Sequence, residues 1–323
     1  MRDEWAEAFA AGARTYWTTK KTESVTSGKR MEILPGEAPV LLRALGLLHR
    51  DTSMPPSQVR KYRQINHMVT LMRPPLLELI SRYPRLHILD AGCGRSYLTT
   101  LLAWCFKHTF KHSVQILGVD RNSALIKECR RRTRLTLLDD VLRYVDADLN
   151  TFSINESWDN TFDTSGGPAP LHAIISLHAC DTATDNAIAI GLRNQVELIA
   201  VAPCCQAELN RKWAALSKEG AAGAFGPIWS APHLRQRTAA TITDTFRTLL
   251  LKGAGYNTAT MEFVSASHSA KNTLIRAIKR RDLDPDALRQ YVALKNATGG
   301  AGITLEDNLP SHVQACLKEL QSP

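Results

Sequence analysis

The chain has 323 residues, of which 44% are hydrophobic, and a formal charge of +9 from 40 lysines and arginines against 31 acids. That composition suits a globular chain with one large domain or a core domain with extensions, and it excludes a low-complexity or collagenous polymer. No apolar run approaches about eighteen residues, and Met1-Arg-Asp-Glu-Trp5 lacks the apolar core of a secretory signal, so a soluble, cytoplasmic protein with no membrane partner is expected.

In chain order, residues 1–57 read as a helical N-terminal extension, with helical patterns over Trp5–Tyr16, Thr18–Ser27 and Ala38–His49. Pro55-Pro56 marks a break before a helix over Gln58–Met72, and Pro74-Pro75 is expected to separate it from a further helix ending near Arg82. From His87 the pattern alternates between strands and helices, with strands predicted at 87–91, 115–119, 143–147, 172–178, 197–203, 259–265 and 273–280. Tyr97–His108, Ser123–Arg132, Asp181–Arg193 and the interval from Gln206 to Lys252 are predicted helical. Five strands alternating with helices and then two joined by a short link predict a seven-stranded, mostly parallel α/β sheet of Rossmann-like type, with an antiparallel terminal hairpin and helices on both faces. The domain is expected to span 58–281, and a helical C-terminal tail 282–323.

The first predicted strand runs through His87-Ile-Leu-Asp90-Ala-Gly92-Cys-Gly94 into a turn whose glycines let backbone approach a ligand closely. The second, Gln115-Ile-Leu-Gly-Val-Asp120, ends in a carboxylate at the spacing where an acid meets the ribose of a bound nucleotide. A dinucleotide site would show a third glycine three residues after the second, whereas Gly94 is followed by Arg95, Ser96 and Tyr97, with Ser96 as the next small residue. The pair therefore indicates a nucleoside cofactor other than NAD or FAD.

With Asp90-x-Gly92-x-Gly94, Asp120 and Ala147-Asp148-Leu149 in place, the chain resembles the class I S-adenosylmethionine-dependent methyltransferases. A narrower resemblance lies in Leu177-His178-Ala179-Cys180-Asp181-Thr182-Ala183-Thr184-Asp185 and Ala202-Pro203-Cys204-Cys205-Gln206. Lys61-x-x-Gln64-Ile65-Asn66 and the hairpin Glu262-Phe-Val to Lys271-Asn272-x-Leu274-Ile275-Arg276 extend it. These are similar to the branch holding the Trm13-type tRNA ribose methyltransferases and the methyltransferase domain of the glutathione S-transferase C-terminal-domain-containing protein. That resemblance covers roughly residues 58–281. It places glycine and histidine in the tRNA enzymes where this chain has Asp181 and Gln206, so tRNA activity does not simply carry over.

The resemblance implies S-adenosylmethionine as cofactor, with the turn at Asp90, Gly92 and Gly94 against its amino-acid end, Asp120 and the adjoining Arg121 at the ribose, and Asp148 at the adenine amine. A carboxylate offers only acceptors, which suits a cis-diol or an exocyclic amine; ordinary loop capping is the plainer role for both acids. His178 closes the fourth predicted strand beside the cofactor and the acceptor, where it would serve as a base for an acceptor that holds its proton, or merely hydrogen-bond a neighbouring loop. Asp181 would orient His178 or cap the helix beginning at Thr182. Cys180, Cys204 and Cys205 follow neighbouring strands; packing, zinc binding with His178, and attack of Cys204 on a pyrimidine base remain open, with no metal centre preferred. Seven cysteines, with only Cys204 and Cys205 adjacent, argue against a disulfide framework.

The basic clusters Lys20-Lys21, Lys29-Arg30, Arg60-Lys61-Tyr62-Arg63, Arg130-Arg131-Arg132-x-Arg134 and Lys279-Arg280-Arg281 each read as solvated helix faces, yet jointly favour RNA as substrate. Two other readings stand beside RNA methylation: methyl transfer to a small molecule or protein side chain, and a non-catalytic, cofactor-binding RNA-associated factor.

Overall fold

The computed structural model describes residues 4–162, 170–177, 179, 181–220, 223–263 and 272–321. Helices α1 (Glu4–Tyr16), α2 (Thr19–Thr26), α3 (Pro39–Ala44) and α4 (Pro56–Arg82) precede the first strand. The alternating region then runs β1 (Arg85–Ala91), α5 (Tyr97–Trp104), β2 (Ser113–Asp120), α6 (Ser123–Leu135), β3 (Leu142–Asp146), α7 (Ile154–Phe162), β4 (Ala173–Ser176), α8 (Thr182–Arg193) and β5 (Leu198–Val201). It continues through α9 (Ala207–Lys218), α10 (Gly226–Trp229), α11 (Pro232–Gly253), β6 (Tyr256–Glu262) and β7 (Thr273–Lys279), and ends with α12 (Pro285–Ala297), α13 (Thr304–Asp307) and α14 (Ser311–Gln321).

The sheet has the seven strands that the α/β reading expects, and their order is β3-β2-β1-β4-β5-β7-β6. β1 and β2 run parallel with Leu89 beside Leu117, and β2 and β3 run parallel with Asp120 beside Asp146. β7 pairs antiparallel with both β5 and β6. Antiparallel β7 lies between β5 and β6, which separates this order from the 3-2-1-4-5-6 arrangement of dinucleotide-binding sheets.

The chain divides into two compact units, Met1–Asp148 with Phe152–Ala169 and Leu149–Thr151 with Pro170–Pro323. In the first, Leu86, Ile88 and Leu89 of β1 and Ile116, Leu117 and Val119 of β2 are fully buried, as strands covered on both faces must be. Ile33 straps the N-terminal segment to α4: its N–H donates to Asn66 Oδ1 at 3.0 Å and its carbonyl accepts from Tyr62 Oη at 2.7 Å. Asn66 of the Lys61-x-x-Gln64-Ile65-Asn66 motif is thus a buried clasp. In the second unit, Ile174, Ile175, Ile199, Ala200 and Ile275 form the corresponding buried strand centres.

Two local expectations need correction. Pro74 and Pro75 lie inside α4, which is one helix rather than two. Proline already has a helical φ, and although Pro74 and Pro75 bring no N–H to the helix, buried Met72, Pro75, Leu76 and Leu79 hold the segment through packing. The helix predicted to His108 ends as α at Trp104 and continues as a π-helical turn over Cys105–Phe110. Among the described residues, no helix is long and apolar enough to cross a membrane.

Candidate functional site

The turn after β1 sits on the end of β2 because both Gly92 N–H and Cys93 N–H donate to the Val119 carbonyl, at 2.8 and 2.9 Å. Gly92 and Gly94 have φ of 73° and 54°, the left-handed region that glycine enters without Cβ strain. Asp120 then ties three segments together. Its Oδ2 accepts from Gly94 N–H and its Oδ1 from Asn122 N–H, both at 2.9 Å, while its carbonyl accepts from Ala147 N–H at 3.2 Å. The carboxylate is half-buried and each oxygen keeps acceptor capacity, so an anchored group faces outward with the acceptors a cis-diol requires. Arg121 beside it is exposed.

Ser96, the small residue in place of a third glycine, also takes a left-handed conformation, with φ of 52°. Its hydroxyl bonds the Tyr144 hydroxyl at 3.0 Å, which ties α5 to β3. The buried Tyr144 ring requires Gly118 on β2, since a Cβ there would stand 2.5 Å from Tyr144 Cδ1.

Asp90 is buried beneath the turn and accepts a short hydrogen bond from Thr99 Oγ1. Burial pushes its carboxyl up to about 7, the Thr99 bond pulls the other way, and the negative Asp120 adds to the rise. Because the folded value lies above the unfolded one, the native state holds the extra proton, and its stabilisation is complete below about pH 4 and fades as pH rises through 7. The fully buried carboxyl is therefore expected to cost about 2 kcal/mol of stability between pH 5 and 7. Thermal denaturation of Asp90→Asn should show that pH slope flattened; an unchanged slope would mean that Asp90 stays ionised.

The third acid, Asp148, follows β3 as expected, one residue further from the strand end than the sequence placed it. β3 ends at Asp146, so Asp148 lies exposed two residues beyond the strand. Asp146, which the sequence reading missed by placing the strand end at 147, is the residue in register with Asp120. The signal was the shared motif Val-Asp that ends both β2 and β3.

In the second unit, His178 and Cys180 lie outside the described residues. Asp181 does not cap α8, which begins beside it without a side-chain cap. Its Oδ1 instead accepts from Ala207 and Glu208 N–H at 2.9 and 3.0 Å, capping α9, and its Oδ2 pairs with Arg211 at 3.1 Å. The Asp181 N–H donates to the Cys205 carbonyl at 3.1 Å, so the segments after β4 and β5 are laced together. At φ 54° and ψ −120° this backbone favours glycine, and the cap and lacing hold the aspartate there.

Arg247 of α11, fully buried, completes the lacing: its Nη2 donates to the Asp181 carbonyl at 2.9 Å, its Nε to Asp185 Oδ1 at 2.7 Å and its Nη1 to Asp244 Oδ1 at 3.0 Å. Gln206 Nε2 donates to Asp244 Oδ2 at 3.0 Å. Asp181 and Gln206, the two departures from the tRNA enzymes, thus belong to one network. Cys204 is disulfide-bonded, and a disulfide sulfur is no nucleophile, so covalent attack would need its reduced form. Cys205 is a free thiol, with its Sγ 3.9 Å from that of Cys204. Among the described residues, no cluster of three or more histidine, cysteine or acidic side chains could hold a metal ion. Cys205, Gln206, Asn210, His233, Asp244 and Asn272 line a cleft of about 860 Å³ in this unit.

The first unit's turn fits S-adenosylmethionine: two left-handed glycines expose backbone, and Asp120 presents anchored acceptors at the end of β2. The cofactor supplies an electrophilic methyl on a positive sulfur, which leaves the protein to bind, align and desolvate the acceptor.

Residues 60–212 match the family model described as a methyltransferase domain. No curated protein matches the chain. Among solved structures, the chain is similar to magnesium protoporphyrin IX methyltransferase from Synechocystis PCC 6803 with bound S-adenosylhomocysteine, at 14% identity over 74% of this chain and 93% of that one, TM-score 0.41. It is also similar to the N-terminal domain of human METTL16 in complex with S-adenosylhomocysteine, at 10% identity over 82% and 85% of the two chains, TM-score 0.42. Geranyl diphosphate methyltransferase in complex with GPP and sinefungin is 13% identical over 82% of this chain and all of its own, TM-score 0.40. At such identities these likenesses concern the fold alone. The matched stretch is similar to methyltransferase domains, and that likeness implies S-adenosylmethionine as the cofactor at the turn it contains.

Proposed function

We propose that the chain transfers the methyl group of S-adenosylmethionine to RNA, with tRNA or rRNA as the substrate class. The observation that carries this reading is the charge on α6, which begins three residues after Asp120. It presents Lys127, Arg130, Arg131, Arg132 and Arg134 against the single acid Glu128. A cationic helix beside the cofactor's ribose acid is placed to attract a polyanion. The motifs that resemble the Trm13-type branch keep tRNA within that class, and the departures at Asp181 and Gln206 keep rRNA beside it. In this reading His178 takes the proton of a ribose hydroxyl, Asp181 positions the loop that carries it, and reduced Cys204 is held in reserve for a base acceptor.

The test is radiolabelled cofactor incubated with fractionated cell extract, followed by nuclease or protease digestion. Label lost to nuclease is the expected result, and label lost only to protease would overturn the reading. The uncharged amides along the 860 Å³ cleft favour, as a second reading, a small-molecule acceptor, which would leave the label in the low-molecular-weight fraction. Cofactor binding with no label in any fraction would mark a non-catalytic factor.

A further inference from the structure

Beside the glycine turn, the first unit holds a cavity of about 510 Å³ lined by Arg43, Lys61, Arg95, Arg131 and Arg132. These cations come from α3, α4, the segment after β1, and α6, so segments far apart in sequence converge on one space. None of the lining residues is acidic. Glu128, at 2.8 and 2.9 Å, is shared between Arg131 and Arg132, which leaves five cations facing one carboxylate. Gathering like charges opposes folding, and an anion bound in such a cavity would offset that repulsion.

The cations are also held in place. Arg43 Nη1 donates to the Leu48 carbonyl at 2.9 Å, and Arg132 Nη1 to the Arg95 carbonyl at 3.4 Å. Lys61 Nζ stands 3.4 Å over the Tyr97 ring and the Arg132 guanidinium 6.0 Å from it, so that ring spaces the charges. The cationic surroundings also push the Tyr97 hydroxyl down despite its burial. Trp5, 42% exposed, lines the same cavity.

We infer that this cavity docks backbone phosphates of the RNA substrate next to the cofactor turn, an inference that rests on the RNA reading above. A strand of RNA fits better than a free nucleotide because Arg130 and Arg134 continue the positive charge along α6 beyond the lining. A single small anion has no use for that extension. Arg95 directly follows Gly94, so a phosphate bound there would sit one residue from the turn.

The experiment measures binding of fluorescently labelled total tRNA by anisotropy over a range of salt, with S-adenosylhomocysteine calorimetry as the check on folding. Arg95→Glu/Arg131→Glu should weaken tRNA binding about 10-fold or more and flatten the dependence of log K on log salt by between about 1 and 2, the share of two lost phosphate contacts. Lys61→Glu, on α4 and away from the turn, should act in the same direction. Arg289→Glu/Lys218→Glu in the other unit makes the same charge change off the cavity and should have little effect. Equal binding by wild type and the cavity variants would overturn the docking site while leaving RNA as substrate. Failure of the wild type to bind tRNA, with label going to another fraction, would overturn both.

Discussion

Asp120→Ala should bind S-adenosylhomocysteine about 100-fold more weakly than the wild type in calorimetry, with the fold retained. The carboxylate offers charged acceptors to a ribose diol, and hydrogen bonds to a charged group contribute about 1.5–3 kcal/mol each. The same side chain also holds Gly94 N–H and Asn122 N–H at 2.9 Å, so its removal loosens the glycine turn as well. Asp120→Asn separates the two effects. An amide has one accepting oxygen, so either the Gly94 or the Asn122 N–H would face an NH2 group, and affinity should recover only in part. Asp148→Ala, on an exposed residue beyond the strand end, should cost much less. Equal affinities for wild type and Asp120→Ala would place the ribose contact elsewhere, with Asp146, in register beside Asp120, as the next residue to test.

The features legible in the sequence were those whose causes are local. The β1 turn announces itself through two glycines at the end of an apolar strand, Asp120 through its position after the next, and the β6–β7 hairpin through two strands on a short link. What escaped depends on contacts distant in sequence. Nothing in Phe246-Arg247-Thr248 marks Arg247 as buried, because its reason is Asp185, 62 residues earlier. Asp181 looks like the cap of the helix that follows it, and instead caps one that begins 26 residues later. The five cavity cations read as separate solvated faces, since Arg43, Lys61, Arg95 and the α6 pair meet only once the helices pack. Pro74-Pro75 misled in the opposite way: the local rule to break a helix was overridden by burial of the residues around it.

The Arg247 cluster sets the largest stability effect. Buried Asp185 and partly buried Asp244 share one guanidinium, and Asp185 Oδ2 has no hydrogen-bond partner among the described residues. Burial raises the proton affinity of both acids against the pull of Arg247. Removing the cation leaves charges that must be protonated or hydrated, a change that costs about 3–5 kcal/mol when one partner of a buried pair is deleted. Arg247→Met should therefore lower the melting temperature by about 10 °C or more, at about 2–4 °C per kcal/mol for a unit of this size. The loss has a pH signature. With Arg247 gone, both folded-state carboxyls rise further above their unfolded values, so the native state favours protons and the deficit grows from pH 5 to pH 8. Arg247→Lys keeps the charge but not the planar fork that reaches Asp185, Asp244 and the Asp181 carbonyl together, and should fall between the two. Adding Asp185→Asn to Arg247→Met should recover part of the loss, most at high pH. A melting temperature within about 2 °C of the wild type for Arg247→Met would mean that water reaches the cluster. The lacing of the segments after β4 and β5 would then rest on the Asp181 cap of α9 and the bond from Asp181 N–H to the Cys205 carbonyl.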